Sequence, residues 1–130
     1  MWQQAGAADH IWANAMNDDP FIYKITPRNI WAKAEQAGHY HGAPVDFADG
    51  FIHFSTAAQV AETAARHFAD QDDLLLVAVE ARALGPDLKW EPSRGGALFP
   101  HLYASLDMAH VAWAKPMPLL NGAHVLPFAT

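Results

Sequence analysis

At 130 residues the chain has room for one ordinary domain, whose folding buries roughly two-thirds of the unfolded surface. Hydrophobic residues make up 52% and charged ones 17%, too apolar for intrinsic disorder, yet no run approaches the ~20 apolar residues of a membrane span. Fourteen acidic against eight basic side chains give a formal charge of −6, with no basic stripe for extended nucleic acid; without cysteine there are no disulfides or thiolate sites.

Residues 1–20 read as an N-terminal extension, with a single domain over 21–130. The opening "MWQQAGAADHIWANAMNDDP" has no Lys or Arg and no continuous apolar core, so it lacks the layout of a secretory signal, and a cytoplasmic protein is expected. The turn formers Asn17–Pro20 precede "FIYKIT", a strand by its β-formers. Thr26-Pro27 then marks a helix start, Thr26 as N-cap and Pro27 at the first helical position, and Gly38 offers the C-terminal cap. Ile30, Trp31 and Ala34 share one face of that helix. "GHYHGAPVDFADG" follows as a polar loop.

"DGFIHFST", Asp49–Thr56, is a short strand that runs into a helix. Alternation puts Phe51, His53 and Ser55 on one face and Ile52 and Phe54 on the other. Thr56 and Gln59 have the spacing of a capping box, and Val60, Ala61, Ala64, Ala65 and Phe68 form the apolar stripe of the helix that follows. "LLLVAVE", Leu74–Glu80, reads as a buried strand, and Gly85-Pro86-Asp87 as a turn. "LKWE" is a further strand, "EPSRGGALFP" a loop, "HLYASL" an extended piece and "HVAWAKPMPL" the last strand. Two main helices and five or six short strands define an α+β class.

His53 offers ring nitrogens, Ser55 and Thr56 offer hydroxyls, and the following helix offers free amides, a corner suited to a phosphate or ribose. The alternative is a core histidine bonded to backbone, with Thr56 only a cap. His101 and Tyr103 point to one side of an extended "HLY", Tyr103 able to stack on a base and Arg94 in its glycine loop able to pair with a phosphate. Against this, Tyr103 fits a core role equally. Glu91 is the best placed carboxylate, and Tyr40 and Asp46 are candidates for a cleft rim. His39 and His41 with His53, His101 or Glu91 form a possible metal set, but the spacing has no zinc-site pattern, and no metal is expected.

"IYKI", "DGFIHFST" with Gln59, "LKWE" and "FPHLY", in this order from about Phe21 to about Pro118, resemble the bacterial domain-of-unknown-function family nine-fifty-two. That family is similar in fold to the ADP-ribosyltransferase superfamily with its RNA 2′-phosphotransferases. The resemblance implies a split antiparallel sheet around a nicotinamide-dinucleotide cleft and NAD or an ADP-ribose-type molecule as ligand. It places the ribose at His53 and Ser55, and gives Glu91 the part of a ribose-orienting carboxylate. The sequence departs from the transferase pattern in having no Glu-x-Glu or Gln-x-Glu on a late strand. The reading is therefore a nucleotide-like cleft with His53, Glu91 and His101 as catalytic candidates and Ser55, Thr56, Arg94, Tyr103 and Tyr40 as ligand contacts, for a glycosyl or phosphoryl transferase or hydrolase. A non-catalytic binding module is the alternative, and a His-based metal enzyme a more distant one.

Overall fold

The structure, a computed structural model, describes residues 19–129. The expected extension lies outside these residues except for Asp19 and Pro20. Strand β1, Phe21–Pro27, leads into helix α1, Arg28–Ala37. Then come β2, His39–Tyr40; helix α2, Pro44–Asp49; β3, Ile52–His53; and helix α3, Ala57–His67. The remaining strands are β4, Leu74–Glu80; β5, Leu88–Pro92; β6, Leu98–Leu102; β7, Leu106–Asp107; β8, Val111–Pro116; β9, Leu119–Leu120; and β10, Ala123–His124. The α+β class holds. The antiparallel strands are divided among sheets β1-β4-β8 and β3-β6-β5 and the short ladders β2-β7 and β9-β10.

Strand β4 lies between β1 and β8 and is covered on both faces, which is why its sequence is an unbroken apolar run. On one face Ile22, Leu75, Val77 and Val79 pack with Trp31 and Ala34 of α1 and with Ile52, Phe54 and Leu102 of the second sheet. On the other, Tyr23, Ile25, Leu74, Leu76 and Ala78 pack with Val60 and Ala64 of α3. Each Val, Leu, Ile or Phe side chain so removed from water is worth about 1.5–3 kcal/mol. The two three-stranded sheets are joined at one bridge, where Tyr23 and Ser55 exchange backbone hydrogen bonds of 2.8 Å each way. Among the described residues no helix is long and apolar enough to cross a membrane.

Several local expectations change. Helix α1 starts at Arg28 because Pro27 stays extended, with ψ 142°, as the register partner of Leu74. The stripe of α3 is narrower than expected: Ala61 and Ala65 are exposed, and Thr63 turns toward Ser55. The polar loop expected before Phe51 contains β2 and α2. Pro44 opens α2, and Gly50, at φ 87°, closes it in the left-handed conformation. Pro100 lies inside β6, where its carbonyl accepts from Phe54 N–H.

Candidate functional site

The second sheet is two-sided. Ile52 and Leu102, paired across β3 and β6, are both buried in the core. Their neighbours His53 and His101, also paired across these strands, therefore project from the opposite side, together with Lys89 and Glu91 of β5 and Tyr103 just beyond β6. Phe51 folds over this side. Its ring lies 4.1 Å from that of His101, 4.6 Å from His53 and 5.2 Å from Tyr103, and it leaves the His101 side chain only 7% exposed. The two imidazoles meet edge to face at 5.6 Å.

Each histidine is anchored at Nδ1 by a carboxylate. Glu91 Oε1 lies 2.7 Å from His101 Nδ1 and accepts from Tyr103 Oη at 2.8 Å. The hydrogen bond from His101, and then that from Tyr103, hold the Glu91 carboxyl below its ordinary value; the same bond raises Tyr103. An ionised carboxylate only accepts, so the proton of this pair resides on Nδ1. With Nδ1 so engaged, Nε2 is the nitrogen left to a ligand, and it meets no hydrogen-bonding partner among the described residues.

The anchor of His53 is Asp46, 2% exposed. Asp46 Oδ1 lies 2.6 Å from His53 Nδ1 and accepts from the His53 backbone N–H at 3.0 Å; Oδ2 accepts from Ala43 N–H at 2.7 Å. Lys24, 4% exposed on β1, places its ammonium 2.9 Å from this carboxylate. Burial alone pushes the Asp46 carboxyl up, but the His53 bond, the Lys24 charge and the Ala43 amide outweigh it and bring it to about 2. Burial also pulls the Lys24 ammonium down, against the pull of Asp46. Beyond His53, Nε2 lies 2.8 Å from Asp49 Oδ2. His53 thus has a carboxylate within hydrogen-bonding distance of each ring nitrogen.

His53, Glu91, His101 and Tyr103 are thus brought together. Ser55 is buried and turned to α3, its Oγ 3.1 Å from Thr63 Oγ1. Thr56 precedes α3, its N–H donating to Gln59 Oε1 at 2.9 Å. Tyr40 is a correction: it is 1% exposed, packs on Trp31 and donates to Thr26 Oγ1, because β2 pairs with β7 and turns it into the core, away from any rim. The backbone of Arg94 lies in the turn between β5 and β6, and its side chain is outside what the structure describes. His39 and His41 stack at 6.4 Å, and no group of three His, Cys, Asp or Glu able to hold a metal occurs among the described residues. Sequence reasoning left Asp46 at the rim and missed Lys24, Asp49 and the covering part of Phe51. The two-residue spacing of Phe51 and His53 was the available signal.

Beside the cluster lies a cleft of about 360 Å³, bordered by His41, Asp46, Phe47, Phe51, Leu102 and Tyr103. Phe51 and Tyr103 belong to both, so a ring entering the cleft meets an aromatic wall next to His101.

The sequence profile of the family described as "Protein of unknown function (DUF952)" matches residues 25–114, and the chain belongs to this family. It is similar to protein CC0527 from Caulobacter crescentus. The X-ray crystal structure of that protein superposes with TM-score 0.78 at 50% identity, covering 80% of this chain and 92% of that one. Its solution NMR structure gives TM-score 0.73 at 48% identity, covering 82% and 91%. Among curated proteins none matches.

Proposed function

We propose that the chain binds a nucleotide-like small molecule of the NAD or ADP-ribose type and transfers or hydrolyses a glycosyl or phosphoryl group at its ribose. The observation that carries this reading is the Glu91–His101 pair, a buried imidazole held at Nδ1 by a carboxylate and set against the Phe51–Tyr103 wall of a cleft. The wall stacks the heteroaromatic ring. His101, oriented by Glu91, takes the proton of a hydroxyl or water, the arrangement by which a carboxylate makes a histidine a general base. His53, whose ring lies 4.6 Å from that of Phe51, is the second histidine within reach of a ribose stacked on this wall. The similarity in fold to the ADP-ribosyltransferase superfamily that the family resemblance implies supports the ligand class, and the net charge of −6 favours a small partner over extended nucleic acid.

Calorimetry and thermal shift with NAD, ADP-ribose, adenosine monophosphate and adenosine test the binding, and release of nicotinamide or phosphate tests the turnover. Binding of at least one, lost on Tyr103→Ala, is expected. Binding with the ligand recovered unchanged identifies a non-catalytic binding module, and no binding overturns the reading.

A further inference from the structure

We infer that His53 and His101 work as an acid–base pair on a ribose phosphate ester carrying a single charge, with a nucleoside 2′,3′-cyclic phosphate as the simplest substrate. This rests on the function proposed above and chooses between its two bond types. The geometry is a matched pair: cross-strand partners, rings 5.6 Å apart, each fixed at Nδ1 by its own carboxylate and each bearing Nε2 as its second nitrogen. Their contacts differ: His101 has one carboxylate, at Nδ1, which assigns it the part of base, and His53 has carboxylates at both nitrogens, which assigns it the part of proton carrier.

A base beside an acid suits one of the two bonds better. When nicotinamide departs from an N-glycoside it leaves as a neutral ring and needs no proton. When a ribose oxygen departs from phosphorus it leaves as an alkoxide, which an acid must protonate while a base deprotonates the attacking water. In the inferred step the water oxygen bonds to phosphorus as its proton passes to His101 Nε2. The bond from phosphorus to O2′ breaks, and O2′ takes the proton of His53 Nε2. The product is a 2′-hydroxyl with a 3′-phosphate monoester, and solvent returns the proton from His101 to His53. Asp49, half exposed at the end of α2, yields Nε2 to the substrate.

Charge limits the substrate further. Asp46 is answered by Lys24 and Asp49 by His53, while Lys89 sits 6.0 Å from the Tyr103 ring and helps hold Glu91 ionised. Among the described residues these pairs leave the cluster without a surplus of positive charge, which favours a singly charged phosphodiester over a more highly charged monoester as substrate.

The test is hydrolysis of adenosine 2′,3′-cyclic monophosphate by the full chain, followed by phosphorus NMR. Ring opening to the monoester is expected, slowed at least about 100-fold by His53→Ala and, separately, by His101→Ala. The corresponding Gln variants repeat the reading should an Ala variant not fold. Opening that survives either substitution at the wild-type rate overturns the inference. So does binding of the cyclic phosphate without opening, or release of nicotinamide from NAD in its place; these leave the proposed function standing, whereas failure of every nucleotide to bind overturns both.

Discussion

Asp46 is a carboxylate with four partners, and its worth follows from their number. It accepts from a buried ammonium, an imidazole and two backbone amides while being 2% exposed. Removing one charge from a buried ion pair strands the other, typically at 3–5 kcal/mol. Asp46→Asn should therefore lower the unfolding free energy by about that amount, read by denaturant titration, and should release His53 from its orientation. Tyr103→Phe is the contrasting case: Tyr103 is 42% exposed, so stability should move by less than about 1 kcal/mol. Its loss removes one of the hydrogen bonds that hold Glu91 down, so the Glu91 carboxyl should titrate at higher pH by carbon NMR. His53 and His101 were legible in the sequence because strand alternation brings them to one face. Lys24 was not: a lysine in an apolar strand reads as an exposed position until its partner, 22 residues away, is located.

Helix α2 is the element that the sequence concealed and the site requires. Its six residues are too few for a periodic stripe, and its signs were local ones, Pro44 at the start and Gly50 at the end. The composition of a turn-rich loop hid them. What fixes α2 is again Asp46, whose Oδ2 accepts from Ala43 N–H at the helix start. Gly42 lets this carboxylate come close: at φ 123°, an added Cβ would stand 2.7 Å from Asp46 Cβ. Gly42→Ala should thus destabilise by about 1–3 kcal/mol and displace Asp49 from His53, visible as changed histidine ring resonances. The long elements were easier. β4 announced itself as an apolar run and α1 by the spacing of Trp31 and Ala34, whereas the two-residue strands depend on partners far along the chain.

For the whole molecule, the Asp46 carboxyl couples stability to acid. Its folded-state value of about 2 lies below the ordinary 3.8, so the stabilisation it lends is complete above the unfolded value and is lost as pH falls through about 2. That contribution is roughly 2 kcal/mol, and the midpoint of urea unfolding should fall across this window in the wild type but change less in Asp46→Asn. The fold class was readable as α+β; the division of its strands into separate ladders was not, since it turns on the Tyr23–Ser55 bridge between residues 32 positions apart in the chain. That bridge also governs how the molecule comes apart. It is the backbone seam between the core sheet and the sheet bearing both histidines, and the same apolar cluster runs beneath it. The two sheets should then melt in one cooperative transition, and the amides of Tyr23 and Ser55 should exchange with deuterium as slowly as those of β4, only through global opening. Among the described residues, a site seated on such a seam opens only as the two sheets part, so its ligand must enter a cleft already formed.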